Sequence, residues 1–273
     1  MTRPTGAPAA APRPALVGSF LRARRLVQRN LLVYRHSWMV IFSGFFEPLF
    51  YLLGIGYGLG TIVGDVTLPN GAVIPYAAFV APALLAQSTM NGAISETIFN
   101  VFFKLNFEKV YDAILVTPLG INDIALGELM WAMIRGTIYA IAFVGVMWVM
   151  GLFISPWAVL ALPATLFCSL AFCAAGLAIT TFLRTVQDFD LPFGLFIMPM
   201  FLFSGTFFPI SIYPVWLQLF VQATPLYHAI ELLRGLSTGL VGLTMLLHVA
   251  YLAVFGGVAM AIARRRLATK LIK

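Results

Sequence analysis

The chain has 273 residues, 61% apolar and 10% charged, with a formal net charge of +7 and a mean hydropathy of +0.95. Soluble domains carry roughly 25% charged residues, and a single water-soluble core could not hide this much apolar surface at this length. The composition excludes an ordinary soluble enzyme and points to a chain integrated in a membrane.

Residues 1 to 15 are rich in Pro and Ala and basic, with no long apolar region near the start. They read as a disordered basic tail, not a signal peptide. From 16 to 36, Phe20, Leu21, Leu26, Leu31 and Leu32 alternate with arginines at helical spacing. This predicts an amphipathic helix on the cytoplasmic lipid surface. Anionic lipid accounts for these arginines, so nucleic acid is not invoked as a partner.

Between 37 and 263, six apolar intervals approach the twenty or so residues a helix needs to cross the hydrocarbon. They run about Trp38 to Gly60, Pro75 to Glu96, Ile124 to Met150, Pro156 to Leu183, Leu191 to Phe208 and Leu240 to Ala263. The expected fold is an all-α membrane protein with six transmembrane helices. Residues 264 to 273 form a basic tail with Arg264, Arg265, Arg266, Lys270 and Lys273. Arg3, Arg13, Arg22, Arg24, Arg25, Arg29 and Arg35 precede the first interval with no acidic residue among them. Under the positive-inside rule both termini are cytoplasmic, which requires an even number of spans.

Glu47 lies inside the first interval beside Pro48, where a carboxylate costs about 2.5–3.5 kcal/mol on insertion scales. It serves either as a cavity or gate residue or as a hydrogen-bond anchor between helices. In "GIGYGLG", Gly54 and Gly58, and Gly56 and Gly60, are four apart, a spacing that permits close helix approach. Gln87, Ser88, Asn91, Ser95 and Glu96 make one face of the second interval too polar for lipid. That face lines the interior, a subunit contact or a route for substrate. Glu128, Trp131 and Arg135 share a face of the third interval, and Arg135 is expected to snorkel to the cytoplasmic headgroups.

Catalytic patterns are poorly represented. His36, His228 and His248 are scattered, and no zinc spacing and no phosphate-binding loop occurs. Cys168 and Cys173 fall in one apolar stretch and read as small packing residues. An intramembrane enzyme built on Glu47, Glu96, Asp188 or Asp190 remains an alternative without a motif.

The interval from Asn106 to Glu128 is unusually charged for this chain. Phe107, Val110, Tyr111, Ile114 and Leu115 follow helical spacing, with Glu108, Lys109 and Asp112 opposite. Asn106 is placed to cap the start, and Pro118 ends the run near Thr117. This predicts a surface-lying cytoplasmic helix from about 106 to 117, a possible docking site. A second irregular interval, 209 to 236, is broken by Pro214 and Pro225 into pieces too short to cross.

The stretches "EKVYDAILVTPLGINDIALGE" and "FLFSGTFFPISIYPVWLQLFVQATPLYHAIELLRGL", in this order, resemble the membrane permease subunits of type-two ABC exporters. The similarity is strongest to the branch of nodulation-factor (lipo-oligosaccharide) and antibiotic-efflux permeases, and it covers nearly the whole chain. It implies that Phe107, Glu108, Lys109, Tyr111, Asp112, Leu115 and Pro118 belong to a coupling helix seated in an ATPase made as a separate chain. Mg-ATP would be bound there, with no cofactor in this chain and no catalysis by it. The resemblance further implies a cytoplasmic interfacial helix near Phe20 to Arg35. It also implies an external re-entrant segment, about 208 to 236, broken at Pro209, Pro214 and Pro225. In that segment Glu231 and Arg234 are spaced to pair.

A second permease subunit, identical or related, and a prokaryotic plasma membrane follow from the same resemblance. Membrane lipids are the remaining partner. The implied activity is export of an amphipathic lipo-oligosaccharide, lipid or drug. Glu47, Gln87, Asn91 and Glu96 are the candidate lining of a translocation path or a subunit contact. Proton-coupled transport through Glu47 or Glu96, or a non-transporting scaffold, are the alternatives.

Overall fold

The computed structural model describes residues 16–34, 46, 49–68 and 71–271. The N-terminal tail, His36, the first part of the first predicted span (38–45) with Glu47 and Pro48, and Lys273 lie outside the described residues.

The first helix, α1 (Leu16–Tyr34), is present as the amphipathic pattern predicts. It does not simply lie on lipid. Ala23, Leu26 and Asn30, at i, i+3 and i+7, are buried, while Leu31 and Leu32 remain exposed. The buried face packs on α4 (Ile121–Val149). A Cβ on Gly127 would stand 2.9 Å from Leu26 Cβ and 3.3 Å from Ala23 O, so a larger residue would push the two helices apart.

An apolar helical stretch, Leu49–Val63, follows. Its middle, Leu52–Leu59, is wound as a π-helix, with i→i+5 hydrogen bonding. Gly56 and Gly60, four apart, both face the start of the next long helix, Tyr76–Asn106, near Ala77 and Tyr76. Gly56 packs against Ala77, whereas Gly54 and Gly58 meet open space. A small antiparallel hairpin then pairs β1 (Asp65–Thr67) with β2 (Val73–Pro75), Asp65 opposite Pro75. Strands of three residues fall below the length at which alternation is legible, which is why the all-α expectation missed them.

Helix α2 (Tyr76–Asn106) is followed by the short α3 (Val110–Leu115), α4 and α5 (Ala161–Thr180). A 3-10 turn, Pro156–Leu160, leads into α5. Beyond it come α6 (Met198–Phe203), α7 (Val215–Gln222), α8 (Pro225–Thr238) and α9 (Leu243–Leu271). Helix α5 is the hub, with α2, α4 and α9 packed around it. Small residues let the backbones approach. A Cβ on Gly176 would meet Thr97 Oγ1 at 1.9 Å and Ile94 Cα at 3.0 Å, and one on Gly256 would meet Ala171 Cα at 3.0 Å. Cys168 and Cys173 are free thiols buried in this hub.

The six-span expectation is corrected. Among the described residues, three helices are long and apolar enough to cross a membrane: Ile121–Val149, Pro156–Thr180 and Leu243–Leu271. Each of the other expected spans fails for its own reason. The described part of the first is the short Leu49–Val63. Helix α2 has 31 residues but carries a polar stripe from Gln87 to Asn100 that lowers its hydropathy. The fifth interval divides into a π-helical turn, Pro192–Ile197, and the six-residue α6, and the chain leaves it at Gly205 with φ +79°. Prolines at 192 and 199 cannot donate to a continuous ladder. The parity argument for two cytoplasmic termini loses its count with these spans.

Candidate functional site

Polar side chains on α2 recur every three or four residues, so they fall on one wall. Gln87, Ser88, Asn91, Ser95, Glu96 and Asn100 face a cavity of about 610 Å³, with Arg135 and Tyr139 of α4 opposite. Tyr51, Phe99 and Phe103 supply aromatic surface, and Glu108 lines one end.

Glu96 organises this wall. Its carboxylate accepts hydrogen bonds from Asn100 Nδ2 (3.1 Å) and Trp131 Nε1 (3.1 Å) and forms an ion pair with Arg135. The Tyr139 hydroxyl accepts from Arg135 Nη2 at 3.4 Å. Arg135 therefore does not snorkel to headgroups. A half-desolvated guanidinium gains more from a carboxylate across the helix interface than from extending along an apolar face.

A second buried pair lies beneath it. Lys104 Nζ donates to both carboxylate oxygens of Glu128 at 2.9 Å and to Asn30 Oδ1 at 3.2 Å, joining α2, α4 and α1. The sequence pattern did not mark Lys104 and Asn30 as partners of Glu128. The available signal was a lysine inside the apolar run "FNVFFKLN", which demands a partner when buried.

The predicted surface helix is shorter than expected. Helix α2 runs on to Asn106, whose side chain donates back to Phe102 O instead of capping a new helix. Lys109, with φ 50°, turns the chain into α3. Phe107, Glu108, Lys109, Asp112 and Pro118 are exposed, Leu115 is half-buried and Tyr111 is buried. Phe107 rests on the Phe103 ring, 5.4 Å between centroids. Burial, with the Glu128 charge beside it, pushes the Tyr111 hydroxyl well above the ordinary tyrosine range.

At the opposite irregular segment, Pro209 precedes the 3-10 turn Ile210–Ile212, Pro214 precedes α7, and Pro225 is the first residue of α8, where its missing N–H costs nothing. Glu231 accepts from Arg234 Nη1 at 2.9 Å. Arg234 is buried and also donates to Gly205 O at 2.6 Å and Phe79 O at 3.3 Å, with its guanidinium 3.9 Å over the Phe79 ring. It clamps α8 to α2 and to the turn after α6. His228 and His248, far apart in sequence, meet with their Nδ1 atoms 2.8 Å apart. Among the described residues no group of three or more His, Cys, Asp or Glu side chains is arranged to hold a metal.

Long apolar helices, a polar-walled cavity between α2 and α4 and a short helix beside it are the features of a multi-pass membrane permease subunit. The chain belongs to the ABC-2 type transporter family, whose pattern matches residues 22–237. It is 32% identical over 260 residues to Nodulation protein J of Rhizobium leguminosarum bv. trifolii, covering 93% of this chain and 97% of that protein. Nodulation protein J of Sinorhizobium fredii is 33% identical over 229 residues, 84% and 86% of the two chains. Inner membrane transport permease YadH of Escherichia coli is 25% identical over 199 residues, 71% and 72%.

Proposed function

We propose that this chain is the membrane subunit of an ATP-driven exporter, working with a separate ATPase that binds Mg-ATP and with a second permease subunit. The observation that carries this reading is Glu108, which lies on the exposed turn before α3 and also lines the cavity. A motor docked against Phe107, Glu108, Lys109, Asp112 and Pro118 would act directly on the cavity wall. Tyr111 and the Lys104–Glu128–Asn30 cluster supply the mechanical link, because a shift of α3 is felt by α1, α2 and α4 together.

The cavity sets amides and hydroxyls beside aromatic rings, a lining suited to an amphipathic cargo. Gln87, Asn91 and Asn100 would face its polar head. Lipo-oligosaccharides, lipids and amphipathic drugs all meet this description. The arginine excess on α1 and at 264–266 supports a cytoplasmic location for these ends and for α3, in a prokaryotic plasma membrane. Cargo would enter from the cytoplasm or inner leaflet and leave outward, past the segment of Pro209, Pro214 and Pro225 closed by Arg234. Proton-coupled transport is disfavoured, since Glu96 is held by three donors rather than left free to carry protons.

The test is co-purification with a candidate partner ATPase of the same organism, comparing assembly and stimulated ATP hydrolysis for wild type and Asp112→Arg. Loss of either is expected. Unchanged assembly together with unchanged hydrolysis would sink the docking role. A panel of lipid, saccharide and drug then identifies the cargo by stimulated hydrolysis.

A further inference from the structure

The apolar part of α9 ends at Ala263, and Arg264 to Lys270 continue the same helix beyond it. Residues 243 to 263 already match the hydrocarbon thickness, so the turns that follow lie at headgroup level. The end of α5 reaches the same level. Lys270 Nζ donates to Leu183 O at 3.3 Å, and the Arg266 guanidinium lies 3.8 Å over the Phe182 ring. Arg184 and Arg266 both act electrostatically on Lys270. Arg184 follows Leu183 directly in the chain, so three cations, one on the turn after α5 and two on α9, meet at this junction.

Like charges gathered this way repel, and the Asp188 carboxylate beside Arg184 offsets only one of the three. Asp188 spends its oxygens on the turn itself, accepting from Arg184 N at 2.7 Å, Thr185 N at 3.0 Å and Thr185 Oγ1 at 2.9 Å. Among the described residues no carboxylate forms an ion pair with Arg184, Arg266 or Lys270. Stacking on Phe182 fixes the Arg266 plane while leaving its N–H edge able to donate.

We propose that Arg184, Arg266 and Lys270 form a binding site for the phosphate of an anionic phospholipid, whose acyl chains lie along the apolar surfaces of α5 and α9. Basic clusters between membrane helices at this level recognise such headgroups. The bound lipid pins α5, the hub of the fold, to α9. This site is separate from the arginines of α1, and it stands whether or not the chain exports an amphipathic cargo.

The experiment is native mass spectrometry of the delipidated full chain in nonionic detergent, titrated with phosphatidylglycerol or phosphatidylcholine. Wild type should retain phosphatidylglycerol preferentially, and the variant R184Q/R266Q/K270Q should bind it at least about tenfold more weakly. R265Q, which removes an exposed cation of the same helix outside the cluster, should keep the wild-type preference. A stabilising shift of the wild-type melting temperature by phosphatidylglycerol, absent from R266Q alone, reports the same site without relying on the triple variant. Equal retention of the two lipids, unaltered binding by R184Q/R266Q/K270Q, or equal loss in R265Q overturns the assignment. Displacement of the lipid by millimolar inorganic phosphate overturns it too, since the site would then take free anion.

Discussion

Lys104 Nζ stands 2.9 Å from each carboxylate oxygen of Glu128, and both side chains are almost wholly buried. The two residues are 24 positions apart and belong to different helices. Their pairing ties α2 to α4 at the end nearest α3, where Tyr111 is also buried. Glu96 and Arg135 repeat the arrangement farther along the same two helices.

Removing one partner of a buried pair leaves an uncompensated charge. Glu128→Gln or Lys104→Met should cost about 3–5 kcal/mol, whereas the double change K104M/E128M should recover most of it. Thermal unfolding in detergent compares the three. A double variant no more stable than either single one would show that the pair is not an isolated charge couple.

Glu96 and Arg135 should separate stability from transport. E96Q alone strands Arg135 in the cavity wall, and it should reduce both assembly with the ATPase and substrate-stimulated hydrolysis. E96Q/R135Q removes both charges and should restore assembly while stimulation stays low. Recovery of both by the double variant would assign the pair to structure alone.

The α2–α5 crossing tolerates no side chain at Gly176. Gly176→Ala places its Cβ against Thr97 Oγ1 and the Ile94 backbone, and overpacking of this kind costs about 1–3 kcal/mol. T97A in the same chain removes the hydroxyl but leaves the backbone of Ile94, so melting temperatures should recover in part. Full recovery would mean that the backbones do not limit this approach.

Asp188 adds a pH dependence of known sign. The Arg184 backbone N–H, then the Thr185 N–H and hydroxyl, hold its carboxyl below the ordinary value. A carboxyl depressed in the folded state stabilises above its unfolded pKa, about 3.9, and that contribution is lost as pH falls further through the folded value. The melting-temperature difference between wild type and Asp188→Asn should therefore be flat above about pH 5 and shrink below pH 4. A difference that grows in acid would reverse the assigned sign.

Much of the candidate site was legible before any tertiary contact was known. Gln87, Asn91 and Glu96 are too polar for lipid and recur on one helical face, and they line one cavity. The breaks at Pro214 and Pro225 follow from the missing N–H, and Glu231 and Arg234 pair at their i, i+3 spacing. Other features were not legible. Periodicity carried the predicted surface helix back to Phe107, but α2 continued through Asn106 and consumed its first turn. Arg135 looked free to snorkel because its partner, Glu96, lies on another helix. His228 and His248 looked scattered for the same reason.

The sequence by itself determined that the chain is a helical membrane protein, where its prolines interrupt it, and which helix face is polar. These depend on composition and on neighbours three or four residues away, which one segment contains. The tertiary structure alone decided that three of the described helices, not six, are long and apolar enough to cross a membrane. It alone decided that Lys104 answers Glu128, and that a turn at Glu108 borders the cavity. A buried charge announces that it needs a partner, but packing of separate helices chooses which one it finds.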